Sequence, residues 1–305
     1  MILVICANPA IDMYIHFDKF SPAKSNRIAQ EDKYPGGKGV HVALALRELE
    51  EKVILLAFWG GGNGKWIRKK CREVGIKCIG PKIKEQSRIC YTFKTNDDFS
   101  ETEILGRGPE INSKTCDRFY NEFKDYLSKI EVIAVSGSLP PECPPDFYCQ
   151  LLKIATEAGK PMFLDCVGEP LSQALIGYWE GIHLNFNEFN DLSPAKDQED
   201  AARQLNAKSK YAAITDGKKG LYLSSEKTLI HANIHLGKIY SSVGSGDCLL
   251  AGLVAAHRRG YSLSEMARLG VACAAAKCIN EELSTIHIKD VIEFLPHVNI
   301  KTLSS

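Results

Sequence analysis

Short apolar segments alternate along this chain with longer amphipathic ones, and this alternation constrains the fold more than any other feature. Six segments are candidate strands: Ile2–Cys6, Val53–Phe58, Val132–Ser136, Met162–Asp165, Gly181–Leu184 and Tyr211–Thr215. Continuous apolar runs of this length are typical of parallel strands that are buried on both faces. The segments between them have helical patterns. The sequence therefore predicts an α/β fold with a mostly parallel sheet.

Two stretches depart from this alternation. Residues 13–35 contain strand-like pieces without a helical pattern, and Ser87–Thr95 with Glu101–Leu105 resembles a hairpin around a turn at Asn96-Asp97-Asp98. We predict one α/β domain over residues 1–305, with β insertions at about 12–35 and 87–106 that form a small sheet, or lid, over the ends of the main strands. An exposed lid edge favours pairing into a homodimer.

Charge and cysteine content exclude several classes of protein. The 38 Lys and Arg balance the 37 Asp and Glu to a net charge of +1, which gives no overall attraction to nucleic acid or to an anionic membrane. The 11 cysteines include no Cys-x-x-Cys pair, which argues against a zinc ribbon or a redox dithiol. Without a basic, signal-like N-terminus or an apolar run of about 20 residues, we expect a cytoplasmic protein with reduced thiols.

The strongest local motif is the glycine turn Gly244-Ser245-Gly246, which leads into a predicted helix from Asp247 to about His257. The start of a helix presents unpaired backbone N–H groups and the positive end of the helix dipole, which together attract anions. Asp247 is positioned to take a proton from a hydroxyl that attacks a phosphoryl group. The alternative interpretation makes Asp247 an ordinary helix N-cap.

A second glycine motif, Gly36-Gly37-Lys38-Gly39, precedes a predicted helix from Val40 to about Leu49. Gly36 and Gly37 allow a ligand to approach the backbone, and Lys38 supplies a positive charge for phosphate. The alternative is an ordinary turn with a solvated lysine. The run from Gly60 to Lys65 resembles a P-loop, but Trp66 replaces the hydroxyl that binds Mg²⁺, so we interpret it as a loop.

Polar segments follow several of the predicted strands. They are Asn8–Asp12, Ser136–Pro141, Asn185–Glu188 and Thr215–Gly220. Each is interpretable as a simple turn. If the sheet is parallel, however, all four gather at its carboxyl edge, which is where α/β proteins bind ligands.

Together these motifs resemble the ribokinase (PfkB-type) carbohydrate kinase family, in the family's order, from Asn8 to about Asn280. This resemblance implies a three-layer α/β/α sandwich with a β-lid and an ATP-dependent kinase. A narrower similarity is to the branch of tagatose-6-phosphate kinase and 1-phosphofructokinase. The residues that carry it are Asn8–Asp12, Asn26-Arg27, Ser87-Arg88, Thr102-Glu103, Gly108-Pro109, Ser136–Pro141, Asp165, Gly168 and Glu169.

The resemblance also implies roles for individual residues. Asp247 would be the catalytic base, and the amides from Gly244 through Ser245 and Gly246 to Asp247 would stabilise the transferred phosphoryl group together with Mg²⁺. The sugar phosphate would contact Asp12, Arg27, Gly36, Gly37, Lys38, His41, Arg88 and Ser138. The nucleotide would contact Asn185, Glu188, Thr215, Gly217, Gly220 and Asn280, with Glu188 acting on the metal indirectly.

Three departures from the family pattern bear on these roles. His41 stands where asparagine is usual, and His183-Leu184 precedes Asn185 where Lys-Pro is usual. After Asn280, Glu281-Glu-Leu replaces a glycine turn, which argues against activation by potassium. Two rival functions therefore stay open: a kinase of a non-phosphorylated sugar or nucleoside, and a sugar-phosphate binding protein without turnover.

Overall fold

The computed structural model describes residues 1–95, 102–280 and 286–303. The strands are Ile2–Cys6 (β1), Ala10–His16 (β2), Gln30–Gly36 (β3), Val53–Ala57 (β4), Trp59–Gly60 (β5), Lys77–Ile79 (β6), Lys82–Ile83 (β7), Arg88–Lys94 (β8), Thr102–Leu105 (β9), Val132–Ser136 (β10), Met162–Asp165 (β11), Trp179–Asn185 (β12), Ser209–Thr215 (β13), Leu221–Ser225 (β14), Thr228–Asn233 (β15) and Asn299–Leu303 (β16). The helices are Lys38–Glu48 (α1), Gly61–Glu73 (α2), Ser113–Tyr126 (α3), Phe147–Glu157 (α4), Glu169–Ala174 (α5), Phe186–Asn190 (α6), Gln198–Leu205 (α7), Ser245–Arg258 (α8), Leu263–Cys278 (α9) and Ile288–Phe294 (α10).

A ten-stranded sheet runs in the order β16-β15-β14-β13-β12-β11-β10-β1-β4-β6. The seven strands from β13 to β6 are parallel, and β14, β15 and β16 extend one edge in antiparallel fashion. The six strands predicted from apolar runs all belong to the parallel part, which confirms the predicted α/β class.

Helices cover both faces of this sheet. Along β1, Ile2 and Val4 join one hydrophobic core with residues of α1, α8 and α9, whereas Leu3 and Ile5 join a second core with residues of α3, α4 and α7. Alternate side chains of a strand point to opposite faces, so two cores mean two helical layers. The architecture is thus a three-layer α/β/α sandwich.

The stretches that departed from the alternation supply a second, four-stranded sheet in the order β3-β2-β8-β9, which we call the lid sheet. Within it β2 pairs with β8 in parallel and with β3 in antiparallel fashion. Strands β8 and β9 pair antiparallel as the predicted hairpin requires, but its turn at Asn96-Asp97-Asp98 lies outside the described residues.

The interpretation of Gly60–Lys65 as a loop is wrong. Gly60 ends β5 and α2 begins at Gly61. A Cβ on Gly60 would lie 2.4 Å from the backbone nitrogen of Ser87, and one on Gly64 would lie 2.7 Å from the backbone of Trp59. These glycines therefore allow the start of α2 to pack closely against neighbouring backbone, which is a structural reason for the run.

Candidate active site

A cavity of about 930 Å³ opens at the carboxyl edge of the parallel strands. Ten of the residues predicted for the site line it: Lys38, Asn185, Glu188, Thr215, Gly217, Gly220, Gly244, Ser245, Gly246 and Asp247. These residues lie at strand ends, in loops and at helix starts between residues 38 and 247, and the parallel sheet brings them to one edge.

The glycine turn before α8 forms one wall of the cavity. Gly244 is the N-cap residue with a φ of 78°, a left-handed conformation that favours glycine. The N–H of Ser245 donates to the carbonyl of Ser242, so this amide is already used within the turn. The amides of Gly246 and Asp247 belong to the first turn of α8, where helical amides have no acceptor within the helix. Two amides and the helix dipole thus provide an anion site.

Asp247 lies in the first turn of α8 and is only 4% exposed. It is not the N-cap, because Gly244 has that position. Its Oδ2 lies 3.0 Å from Nδ1 of His41. Burial raises the pKa of Asp247 above its ordinary value, although the hydrogen bond and charge of His41 oppose the shift. A raised pKa brings the carboxylate closer to the range in which general bases work near neutral pH.

His41 also contacts a second carboxylate. Its Nε2 lies 2.9 Å from Oδ2 of Asp12, on the lid strand β2. Burial opposes protonation of the imidazole, but the hydrogen bonds and charges of Asp12 and Asp247 outweigh it and raise the pKa of His41 to about 10. His41 therefore joins the lid sheet to the start of α8 as an imidazolium.

A second network, buried at Asp165 and His183, begins at the partly exposed Lys38. Its Nζ lies 2.9 Å from Oδ1 of Asp165, whose Oδ2 lies 2.7 Å from Nδ1 of His183. Nε2 of His183 lies 3.1 Å from Oγ1 of Thr215. Burial opposes ionisation of Asp165, but Lys38 and His183 outweigh it and lower the pKa of this carboxyl. Asp165 likewise raises the pKa of Lys38, so Lys38 is a fixed positive charge in the cavity wall.

The glycines of the second motif each have a steric reason. A Cβ on Gly36 would lie 2.1 Å from the carboxyl group of Asp12, and one on Gly39 would lie 2.6 Å from Cβ of Cys6. Gly37, the N-cap of α1, has a φ of 92°. The motif therefore lets α1 and the lid strand β3 approach both Asp12 and β1 closely.

The residues predicted to hold the sugar's phosphate are not gathered in the same way. The guanidinium of Arg88 donates through Nε to the carbonyl of Asn8 and through NH1 to the carbonyl of Gly106. Ser138 is half-buried in the loop after β10. Arg27 is exposed between β2 and β3, and in the described ranges no hydrogen bond or ion pair joins it to the other site residues. Its role stays a prediction.

Asn185 and Glu188 line the cavity, but they also form a capping box at the start of α6. Oδ1 of Asn185 accepts from the N–H of Glu188, and the N–H of Asn185 donates to Oε2 of Glu188. The spacing Asn-x-x-Glu is a known signature of this motif. The pair therefore has a structural role whether or not it also binds a ligand.

Asp165 and His183 received no role from the sequence, yet both line the cavity. An apolar wall was missed as well, and it consists of Ile234, Leu236, Ile239, Leu249, Val271 and Ala274. Such a surface is suited to a planar, apolar ring system. Cys278, the last residue of α9, belongs to the cavity lining. Asn280 lies two residues further on and is not part of that lining.

Three further observations concern disulfides, metal ligands and membrane-spanning helices. All 11 cysteines are unpaired, and nine of them are buried. Within residues 1–95, 102–280 and 286–303, no three Asp, Glu, His or Cys side chains are grouped as metal ligands. In the same ranges no helix has both the length and the apolar character needed to cross a bilayer.

The family model described as "pfkB family carbohydrate kinase" matches residues 3–288 of this chain. The chain belongs to the PfkB carbohydrate kinase family. It is therefore a phosphotransferase whose acceptor is an alcohol group.

Two relatives of this PfkB kinase cover nearly its whole length. The 1-phosphofructokinase of Bacillus subtilis is 29% identical over 309 residues, which cover 99% of this chain and 100% of that protein. Phosphofructokinase-2 of Escherichia coli in complex with potassium superposes with a TM-score of 0.89 at 23% identity, covering 97% of this chain and 98% of that one. Its complex with fructose-6-phosphate and its tetrameric inhibited form each give a TM-score of 0.87 at 22% identity, with the same coverage.

Proposed function

We propose that this kinase transfers the γ-phosphoryl group of ATP to a hydroxyl of a ketohexose monophosphate of the tagatose 6-phosphate or fructose 1-phosphate type, giving a bisphosphate. The observation that carries the proposal is the buried carboxylate of Asp247 in the first turn of α8, beside two helical amides in the wall of the cavity. A base and an anion site side by side are what phosphoryl transfer to an alcohol requires.

In the proposed reaction Asp247 accepts the proton of the sugar hydroxyl through Oδ1, because Oδ2 is held by His41. The hydroxyl oxygen forms a bond to the γ-phosphorus as the bond from that phosphorus to the β–γ bridging oxygen breaks, and ADP leaves. The amides of Gly246 and Asp247 and the charge of Lys38 stabilise the negative charge on the phosphoryl group. The apolar wall at Ile234, Leu236 and Val271 receives the adenine.

Mg²⁺ would be bound mainly by the nucleotide's phosphates and water, which is its usual mode in kinase sites. It would neutralise charge on the transferred group. Glu188 fits an indirect role, since Oε2 accepts from the N–H of Asn185 and Oε1 lies 3.8 Å from Nζ of Lys38. Because Glu281-Glu-Leu replaces the glycine turn, we expect equal rates in sodium and potassium salts, although the Escherichia coli relative binds potassium.

The preference for a sugar phosphate is supported by the similarity to a 1-phosphofructokinase and by the fructose-6-phosphate complex of the Escherichia coli relative. Arg88 and Ser138, with Arg27, would hold the phosphate on the sugar. Two N–H groups of Arg88 already donate to backbone carbonyls, which favours the rival in which this arginine is structural and the acceptor is a neutral sugar or nucleoside. Substrate turnover and the KM of an Arg88 variant separate the two.

We also propose that the lid sheet mediates a homodimer. Its edge strand β9 is exposed along its length, with Ile104 51% and Leu105 63% exposed. The tetrameric form of the Escherichia coli relative supports self-association in this fold. Light scattering should give a dimer for the wild type and a monomer for Leu105→Lys, and a monomeric wild type would refute this part of the proposal.

The test is release of ADP from Mg-ATP, in a coupled assay, with tagatose 6-phosphate, fructose 1-phosphate, fructose 6-phosphate, fructose, ribose and adenosine. We expect turnover with one or more phosphosugars only. Arg88→Lys should raise the KM for that phosphosugar about 10- to 100-fold, as expected for a lost bidentate contact to phosphate. Arg47→Lys is the matched control, because Nε and NH1 of Arg47 also donate to two backbone carbonyls but lie away from the cavity.

Turnover with a neutral sugar or adenosine would overturn the assignment of the phosphosugar. An unchanged KM in Arg88→Lys would overturn the phosphate-binding role of Arg88. Calorimetric binding of a phosphosugar without ADP release would favour a binding protein that lacks turnover.

A further inference from the structure

Both ring nitrogens of His41 are occupied, and this determines what the residue can do. Nδ1 is within hydrogen-bond distance of Asp247, and Nε2 of Asp12. An imidazolium has two donors and no acceptor. His41 therefore has no group left for a sugar hydroxyl, so a direct role in binding the substrate, as expected from the sequence, does not fit.

We propose that His41 is a positioning residue that fixes Oδ2 of Asp247 and ties the protonation of this base to the Asp12 carboxylate on the lid sheet. The inference rests on the proposed function in that Asp247 is taken as the base. It adds a residue that acts through the base without touching either substrate.

Three observations support this role. The side chains of Asp12, His41 and Asp247 are all largely buried, at 13%, 11% and 6% exposure, so their charges are weakly screened. A Cβ on Gly244 would lie 3.9 Å from Nδ1 of His41 and 4.0 Å from Oδ2 of Asp247, so the glycine turn lies beside this contact. Gly36 packs closely against Asp12 as well. The close approach of Gly36 thus leaves Asp12 little room to move away from His41.

Other charged and titratable groups near this trio come from several elements and set the field in which it titrates. They are Cys6 on β1, Tyr14 on β2, Lys38 on α1, Cys90 on β8, Asp165 on β11, Cys248 on α8 and Lys277 on α9. None of them stands between His41 and its two carboxylates, which are in direct contact with the ring. The two carboxylates are therefore the groups to perturb.

The first test needs no turnover. The ring nitrogens of His41 are followed by NMR from pH 5 to 11 in the ligand-free wild type, Asp12→Asn and Asp247→Asn. We expect a midpoint near pH 10 in the wild type, lowered by at least about one unit in each variant because each loses a charge in contact with the ring. A wild-type midpoint near 6.5, or one that Asp12→Asn leaves unchanged, would overturn the proposal.

The second test is the pH profile of kcat with the preferred sugar phosphate. His41→Asn and His41→Gln should move the acid limb of kcat to higher pH by about one unit, since Asp247 loses the cation that favours its ionised form. His257→Asn is the matched control, because His257 faces Glu180 away from the cavity, and its profile should stay at the wild-type position. An acid limb that His41→Asn does not move would refute the positioning role.

The two tests separate this inference from the function on which it rests. If no sugar is phosphorylated, the NMR titrations still decide whether His41 links the two carboxylates. If ADP is released but the His41 variants keep the wild-type profile, the function stands and the positioning role does not.

Discussion

Replacing Gly36 by alanine tests whether Asp12 must sit where the structure has it. An added Cβ would lie 2.1 Å from the Asp12 carboxyl group, whereas ordinary contacts of this kind begin near 3.4 Å, so the carboxyl group has to move by more than about 1 Å. Asp12 holds Nε2 of His41, and His41 holds the base. The displacement should therefore reach Asp247 as well as the sugar site.

A shift of about 1 Å in a reacting group costs on the order of 100-fold in rate, or about 2.7 kcal/mol. We expect Gly36→Ala to lower kcat/KM for the sugar phosphate by about this factor in the coupled ADP assay, with the KM for ATP close to wild type. Gly62→Ala is the control, because its Cβ would meet no atom closer than 3.7 Å and the position is exposed in α2. A Gly36→Ala enzyme with wild-type kcat/KM would refute the reasoning.

Three further predictions concern stability, measured by urea denaturation. Burial opposes ionisation of Asp165, but Lys38 and His183 hold its pKa low, so the ionised carboxylate stabilises the fold above about pH 4 and this stabilisation is lost as the pH falls. The difference in unfolding free energy between wild type and Asp165→Asn should therefore shrink below about pH 4, and a difference that does not depend on pH would contradict this prediction. Burial opposes protonation of His41, but the carboxylates of Asp12 and Asp247 raise its pKa to about 10, so the stabilisation from the protonated ring is complete below about pH 6.5 and is lost as the pH rises through 10. The unfolding free energy of His41→Asn should therefore approach that of the wild type at high pH, and a difference that persists there would count against the ion pairs. Glu51 is 3% exposed and accepts hydrogen bonds from Arg258 and Arg259, away from the site, so Glu51→Gln should lower the unfolding free energy by about 2 kcal/mol while leaving kcat/KM unchanged. Loss of activity in the folded variant would show that Glu51 and the two arginines are not merely structural.

The parallel strands were predictable from sequence because most of them are short apolar runs. The glycine turns were predictable because glycine adopts the positive φ angles that such turns require, as at Gly37 and Gly244. The Asp165–His183 contact was not predictable in this way. It follows from the register of β11 on β12, which pairs Phe163 with Gly181 and Leu164 with Ile182 and so brings Asp165 beside His183. Strand order and register depend on packing across the whole sheet, which one sequence does not display.

The same reason applies to His41, whose partners lie 29 and 206 residues away in the chain. The capping box at Asn185 and Glu188, in contrast, was readable from the Asn-x-x-Glu spacing. The resemblance to a kinase family gave these two residues a ligand role. The local hydrogen-bonding rule would have given them a structural one.

The proposed mechanism depends above all on Asp247 taking the proton from the acceptor hydroxyl. The decisive experiment measures kcat for ADP release by the Asp247→Asn variant with the preferred sugar phosphate, together with the calorimetric affinity of the same preparation for that sugar. We expect kcat to fall by about 10²- to 10⁴-fold while the affinity stays close to wild type. Turnover by the Asp247→Asn variant at nearly the wild-type rate would contradict the assignment of Asp247 as the base.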